Sequence, residues 1–133
     1  MGERRDLSAE YAVLNQLAGE LRRRMDLLNT AISELTVARS ALGELRKLSG
    51  GEEVLVPIGG NVMIRAQFLK TERVLVGVGS GVMVEKSFEE AESYLAERER
   101  RLREELQRVA SEYQKVLARM SEIERQLAST GTG

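Results

Sequence analysis

The chain has 133 residues, 31% of them charged, and no cysteine, histidine or tryptophan, which excludes disulfides, thiol or imidazole catalysis and the usual zinc, haem and iron–sulfur sites. Its 20 basic and 21 acidic side chains balance, so no overall field attracts nucleic acid or anionic lipid. The length favours a single domain over residues 1–133, and the lack of a long apolar run or signal-like start favours a cytoplasmic protein.

Residues 7–48 carry the pattern of a coiled-coil helix. Leucine recurs every seven residues, and a second stripe beside it gives the 3.5-residue repeat of a coiled coil. The leucines are Leu7, Leu14, Leu21, Leu28, Leu35 and Leu42, and the second stripe is Tyr11, Ala18, Met25, Ile32 and Arg39. At about 1.5 Å per residue the helix is roughly 60 Å long. Gly50-Gly51 ends it.

Residues 53–86 alternate with period two and contain the only proline and five of the 12 glycines. The alternation predicts four strands, and the glycine-rich segments 59–61 and 79–81 predict the turns of two β-hairpins. Such hairpins have open edges, and little of so small a chain is left to cover them. We therefore expect this segment to self-associate. Its assembly candidates are Val54, Val56, Val62, Ile64, Phe68, Val74, Val76, Val82 and Val84.

Residues 88–128 return to the heptad pattern and predict a second helix of similar length. Ser87, followed by Glu90 three residues later, matches a capping box at the start of this helix. One stripe is Phe88, Leu95, Leu102, Val109, Val116 and Ile123, and the other is Glu99, Leu106, Tyr113, Met120 and Leu127. The small polar residues 129–133 predict a flexible tail.

The two helices match in length, so we expect them to fold back on each other as an antiparallel pair. Aligning their leucine stripes sets the only two charged seam residues, Arg39 and Glu99, against each other. We expect an ion pair that fixes the register more than it stabilises the fold. The alternative is that the two charges reach water independently.

No residue constellation supports an enzyme. The Gly77–Gly81 segment lacks the lysine and helix of a phosphate loop and is a turn instead. Arg22-Arg23-Arg24 and the Arg98–Arg103 cluster have no aromatic neighbours for stacking on bases, which favours solvated helix flanks over nucleic-acid contacts.

The helix ends that carry the two chain termini form an apolar tip. Its residues are Leu7, Tyr11, Val13, Leu14, Ile123 and Leu127. Two interpretations are equally supported by the pattern. The tip is either a frayed last heptad with ordinary seam residues, or an exposed surface that binds apolar segments of another chain.

The order of helix, two hairpins and helix resembles the alpha class of prefoldin. Three stretches carry the resemblance, which covers about residues 7–128. They are Val56-Pro57-Ile58-Gly59, the segment 74–81, and the hairpin-to-helix junction 84–91. Two hairpins, rather than the single hairpin of the beta class, favour the alpha class. Val82-Met83 departs from the family, since many relatives have an aromatic residue there.

The resemblance implies an α+β fold, a long antiparallel two-helix coiled coil whose two inserted β-hairpins form an oligomerisation β-barrel. It also implies an ATP-independent chaperone without cofactors, built from two alpha and four beta-class subunits. Such a hexamer would bind non-native polypeptides at the coiled-coil tips and pass them to a group II chaperonin. Several weak tip contacts would give avidity without sequence specificity.

Two alternatives remain open. A gamma-type relative would polymerise through its β segment into filaments and act as a structural protein or holdase. A transcription-factor-like coiled coil would insert into an enzyme channel, but that role usually needs a tight acidic tip where this chain has a β module.

Overall fold

A computed structural model describes residues 2–131, which form two long helices and four strands. The elements are α1 Gly2–Arg46, β1 Glu53–Gly59, β2 Val62–Gln67, β3 Arg73–Gly79, β4 Val82–Ser87 and α2 Phe88–Gly131. The predicted order of helix, two hairpins and helix is confirmed. Neither helix in this described range contains a stretch long and apolar enough to cross a membrane.

The helix ends differ from the predicted bounds by a few residues. Helix α1 begins at Gly2 and ends at Arg46, because the polar residues at its start continue the helix and Gly50 and Gly51 adopt positive φ after it. Helix α2 continues to Gly131, so most of the tail predicted at 129–133 is helical. Residues 132 and 133 of the predicted tail lie outside the described part of the chain.

The chain divides into two compact units, one of residues 1–33 with 100–133 and one of residues 34–99. The first unit consists of paired segments of α1 and α2. Its packed core takes residues from both predicted leucine stripes, because those stripes face the partner helix. The buried members are Ala18, Leu21, Leu28, Val109, Val116 and Met120. Tyr11–Glu124 and Arg24–Glu105 contacts show that the two segments run antiparallel.

The second unit contains the two hairpins. Strand β1 pairs antiparallel with β2, and β3 pairs antiparallel with β4, as two separate two-stranded sheets. The register places Val56 opposite Ile64 in one hairpin and Val76 opposite Val84 in the other. Both hairpins therefore share one pairing scheme.

Each hairpin turns through two residues with positive φ. They are Gly60 and Asn61 in the first hairpin, and Ser80 and Gly81 in the second. Two successive residues in this conformation form the type I′ turn, whose twist matches that of the flanking strands. Each register also shifts just before the turn, at Gly59 and Gly79. The sequence pattern did not show this bulge.

Helix α2 starts with the predicted capping box. The Glu90 backbone N–H donates to the Ser87 hydroxyl oxygen, and the Ser87 N–H donates to the Glu90 carboxylate, both at 3.0 Å. The bond from the Ser87 N–H holds the pKa of the Glu90 carboxyl below its usual value. The ionised Glu90 carboxylate therefore stabilises the folded state above about pH 4.5, and this contribution is lost as the pH falls through the lowered pKa.

We expect Ser87→Ala to lower the free energy of unfolding by about 1 kcal/mol at neutral pH, because the Glu90 N–H loses its acceptor. Urea denaturation followed by circular dichroism measures the loss. Ser93→Ala is the matched control, since Ser93 lies exposed within α2 and alanine favours a helix interior. Equal losses for both variants would show that the cap does not stabilise α2.

Candidate functional site

The residues predicted for client binding all lie in the first unit, but their exposure differs. Val13 is 66% exposed, while Leu7, Tyr11, Leu14 and Leu127 are half-buried. Ile123 is fully buried, at 0% exposure. It therefore presents no surface to another molecule while the two helices stay packed. The accessible apolar surface at this end comes from the other predicted residues.

Polar contacts link the two helices next to these apolar residues. The Tyr11 hydroxyl donates to Glu124 Oε1 at 2.7 Å, and Arg4 Nη1 donates to the Leu127 carbonyl at 2.9 Å. The Glu124 carboxylate favours the protonated phenol, which raises the pKa of Tyr11 above its usual value. Tyr11 therefore links the helices by its hydroxyl and offers another chain only part of its ring.

Ion pairs that the sequence did not predict also join the helices in this unit. Arg119 donates from Nε and Nη2 to the two carboxylate oxygens of Glu10, each at 2.9 Å. This fork lowers the pKa of Glu10 and raises that of Arg119. Arg24 pairs with Glu105. Opposite charges beside an apolar seam are the coiled-coil signal that could have predicted both pairs.

The second unit contains a polar cluster inside the helix seam. Arg39 Nη1 lies 2.5 Å from Glu99 Oε2, and Arg39 Nε donates to Glu92 Oε1 at 2.9 Å. The Thr36 hydroxyl donates to the other Glu99 oxygen at 2.5 Å. Glu92, followed by Glu99, raises the pKa of Arg39. The sequence predicted the Arg39–Glu99 contact but not the parts played by Thr36 and Glu92.

The alternative that Arg39 and Glu99 reach water separately does not agree with the structure. Glu99 is only 7% exposed and is the buried charged residue of the described chain. Both of its carboxylate oxygens have partners. A carboxylate with this little solvent needs its cation, since an unpaired buried charge is costly. The geometry therefore fits a contact that fixes the register of the helix pair.

The hairpins expose much of their apolar surface. Of the residues predicted for assembly, Val56, Val62, Ile64, Val82 and Val84 are exposed, while Val54, Phe68, Val74 and Val76 are half-buried. Further large apolar side chains that the prediction omitted are also exposed. They are Leu55, Ile58, Met63, Leu69, Leu75, Val78 and Met83. A single chain rarely leaves so many large apolar side chains of one segment in water, and exposed apolar surface of this kind marks interfaces.

Apolar side chains lie on both faces of each hairpin. Val56 and Ile64 pair directly and lie on one face. Side chains alternate along a strand, so Leu55 and Met63, each one residue away from that pair, lie on the opposite face. The second hairpin repeats this arrangement with Leu75 and Met83. The outer edges of all four strands are unpaired among the described residues. These hairpins can therefore accept further strands as well as face contacts.

The described residues contain no group of three or more carboxylate, histidine or cysteine side chains that could hold a metal ion. Their buried polar side-chain atoms all have hydrogen-bond partners. The candidate functional surfaces are thus the apolar end of the first unit and the apolar hairpins of the second.

Comparisons with known proteins agree with this architecture. The family model of the prefoldin subunit matches residues 14–132. Prefoldin subunit alpha of Thermofilum pendens is 40% identical over 91% of this chain and 94% of its own length. The same subunit of Pyrococcus horikoshii is 32% identical over 90% of this chain and 81% of its own.

A solved structure shows the same fold. A chain of the filamentous PFD from Methanocaldococcus jannaschii, determined by cryo-EM, has a TM-score of 0.74 and 22% sequence identity. The likeness covers 88% of this chain and 97% of that one. The resemblance seen in the sequence is confirmed. With two long helices, two inserted hairpins and this sequence similarity to alpha subunits, the chain belongs to the prefoldin family.

Proposed function

We propose that this chain is the alpha subunit of an ATP-independent chaperone that binds non-native polypeptides and limits their aggregation. The observation that carries the proposal is apolar surface left exposed in both units. In the second unit it covers the hairpins, and in the first it includes Val13 beside half-buried Leu7 and Leu127. Both surfaces are exposed in the single chain, so each is available to another chain.

Assembly is the role we propose for the hairpins. Beta-class prefoldin subunits would add strands and apolar faces to them, closing a β-barrel in a hexamer of two alpha and four beta-class subunits. Pairing the outer strand edges of the hairpins with those of other subunits removes the unpaired edges that otherwise promote aggregation. The hexamer would deliver its client to a group II chaperonin in the cytoplasm.

Client binding is the role we propose for the apolar end of the first unit. The half-buried and exposed residues there would contact apolar client segments, each weakly. Six such ends in one assembly would bind a single client by avidity. Ile123 would support this surface from within, because its side chain is fully buried.

The test is a variant that makes the end polar and leaves the buried Ile123 in place. We expect Leu7→Ser, Val13→Ser and Leu127→Ser together to reduce suppression of citrate synthase aggregation at least fivefold, measured by light scattering on the hexamer with beta-class subunits. The mass of the complex should stay unchanged. Leu27→Ser with Val37→Ser is the matched control, since these side chains are 72% and 66% exposed elsewhere on α1. Suppression equal to the wild type would refute the client assignment.

A second candidate is a filament-forming prefoldin. It is supported by the open outer edges of both hairpins and by the fold shared with a filamentous prefoldin. Light scattering coupled to size-exclusion chromatography separates the two candidates. A filament former grows to high mass as the chain alone, whereas an alpha subunit reaches a closed hexamer only with beta-class partners.

A further inference from the structure

The two hairpins are an internal repeat. Residues 53–68 and 73–88 align without a gap and are identical at seven of 16 positions. The identical pairs are Val54/Val74, Leu55/Leu75, Val56/Val76, Gly59/Gly79, Val62/Val82, Met63/Met83 and Phe68/Phe88. The structure repeats with the sequence, because both hairpins have the same register and the same bulge.

Each repeat forms an apolar groove with the helices of the second unit. Residues 54–57 of β1 line a groove of about 460 Å³ with the last turns of α1. The equivalent residues 74–77 of β3 line a groove of about 370 Å³ with turns of α1 and α2. We call these the β1 groove and the β3 groove. Each runs beside a strand whose outer edge is unpaired among the described residues.

The charge of the two grooves is opposite. Glu44 is the charged residue that lines the β1 groove, whereas Arg98 is the one that lines the β3 groove. On the strands, Glu53 of β1 corresponds to Arg73 of β3, but each is paired with an opposite charge on the neighbouring strand, Arg65 and Glu85, so the residues that line the grooves carry the contrast. Shape and apolar lining are thus repeated while the charge is reversed.

A second cation lies at the β3 groove. Tyr94 lines this groove, and its ring is flanked by Lys86 Nζ at 5.8 Å and by the Arg98 guanidinium at 5.9 Å. Each cation lies within the range of about 6 Å at which a cation–π contact forms, and Lys86 also lowers the pKa of the Glu90 carboxyl. The β3 groove therefore combines apolar walls with the positive charge of Arg98, and Lys86 lies next to it at the Tyr94 ring.

We propose that the β3 groove binds an extended segment of a different chain that carries apolar side chains flanked by carboxylates, and that the β1 groove disfavours this segment. The proposal rests on the assembly role proposed for the hairpins. An added strand bonds to the open β3 edge and places alternate side chains in the groove. Its carboxylates meet Arg98 and Lys86, whereas in the β1 groove they would meet Glu44, whose exposed pair with Lys47 spans 3.5 Å. Like charges at close range oppose the wrong partner.

The test uses two fluorescein-labelled peptides that alternate valine with glutamate or valine with lysine, titrated against the full chain by fluorescence anisotropy. We expect the glutamate peptide to bind at least fivefold more tightly, and Arg98→Glu or Lys86→Glu to remove that preference. Arg22→Glu is the control, because it makes the same charge change at an exposed residue of the first unit. Equal binding of both peptides, no binding of either, or an equal effect of Arg22→Glu overturns the proposal.

Two further measurements separate this inference from the proposed function and from a self-interface. Loss of self-association in Arg98→Glu, with no other chain present, would assign the groove to a second copy and overturn our choice of partner. Assembly with beta-class subunits that survives Val82→Asp with Val84→Asp would instead refute the assembly role of the hairpins. If the glutamate peptide is not preferred while Val82→Asp with Val84→Asp still blocks assembly, the charge selectivity of the β3 groove is refuted and the assembly role of the hairpins stands.

Discussion

Replacing Ile123 with alanine is expected to lower the free energy of unfolding by about 2–5 kcal/mol, as measured by urea denaturation. Among the described residues, Ile123 has the large side chain with no solvent exposure. Removing its three outer carbons leaves a cavity that a regular helix pair closes only in part, because both backbones are held by other buried residues. The whole free energy of unfolding of a typical domain is only about 5–15 kcal/mol, so the expected loss is a large part of it.

The control for Ile123 is a substitution at the same end of the first unit that removes surface instead of core. Val13→Ala is expected to change the free energy of unfolding by less than about 0.5 kcal/mol, since Val13 is 66% exposed. Comparable losses in the two variants would mean that the helix ends are not packed in solution. Ile123→Ala should also reduce client binding only in proportion to the unfolding it causes.

The heptad pattern predicted both helices and much of their core. Leu21, Leu28, Val109 and Val116 lie on the predicted stripes and are buried together. The pattern could not rank exposure within a stripe. Ile123 is buried while Leu127, one turn later, is half-buried. A stripe identifies the face that meets the partner helix, but the depth of each side chain depends on how closely the other helix covers it.

The hairpins show a different limit of sequence reasoning. Alternation and glycine positions were sufficient to predict four strands and two turns. Alternation also implies one apolar and one solvated face, and so it missed Leu55, Met63, Leu75 and Met83 as interface candidates. Their exposure follows from a sheet that is apolar on both sides, a composition typical of strands covered on both faces in the assembled state.

The charged seam residues were predictable, but their network was not. Matching the leucine stripes of two antiparallel helices set Arg39 against Glu99. Thr36 lies one turn before Arg39 on α1, and Glu92 lies two turns before Glu99 on α2, and both join the pair through their side chains. Those contacts depend on rotamers, which no heptad pattern specifies.

Arg39→Met is the second change for which we expect a large effect. Glu99 would keep the bond from Thr36 but lose the guanidinium of Arg39, and removing one partner of a buried ion pair destabilises the folded state. The melting temperature at neutral pH should fall by several degrees. Glu99→Met should cost less, because Arg39 is more exposed than Glu99 and retains Glu92 as a partner. Thermal denaturation followed by circular dichroism compares the variants.

The double variant Arg39→Met with Glu99→Met tests whether the pair provides stability or register. Two apolar side chains in the seam remove both charges together, and replacing a buried ion pair in this way is often neutral or stabilising. We therefore expect the melting temperature to return to that of the wild type or above. Arg24→Met, in the solvent-exposed pair with Glu105, is the matched control and should have little effect. A double variant that stays clearly less stable than the wild type would show that the pair itself stabilises the fold.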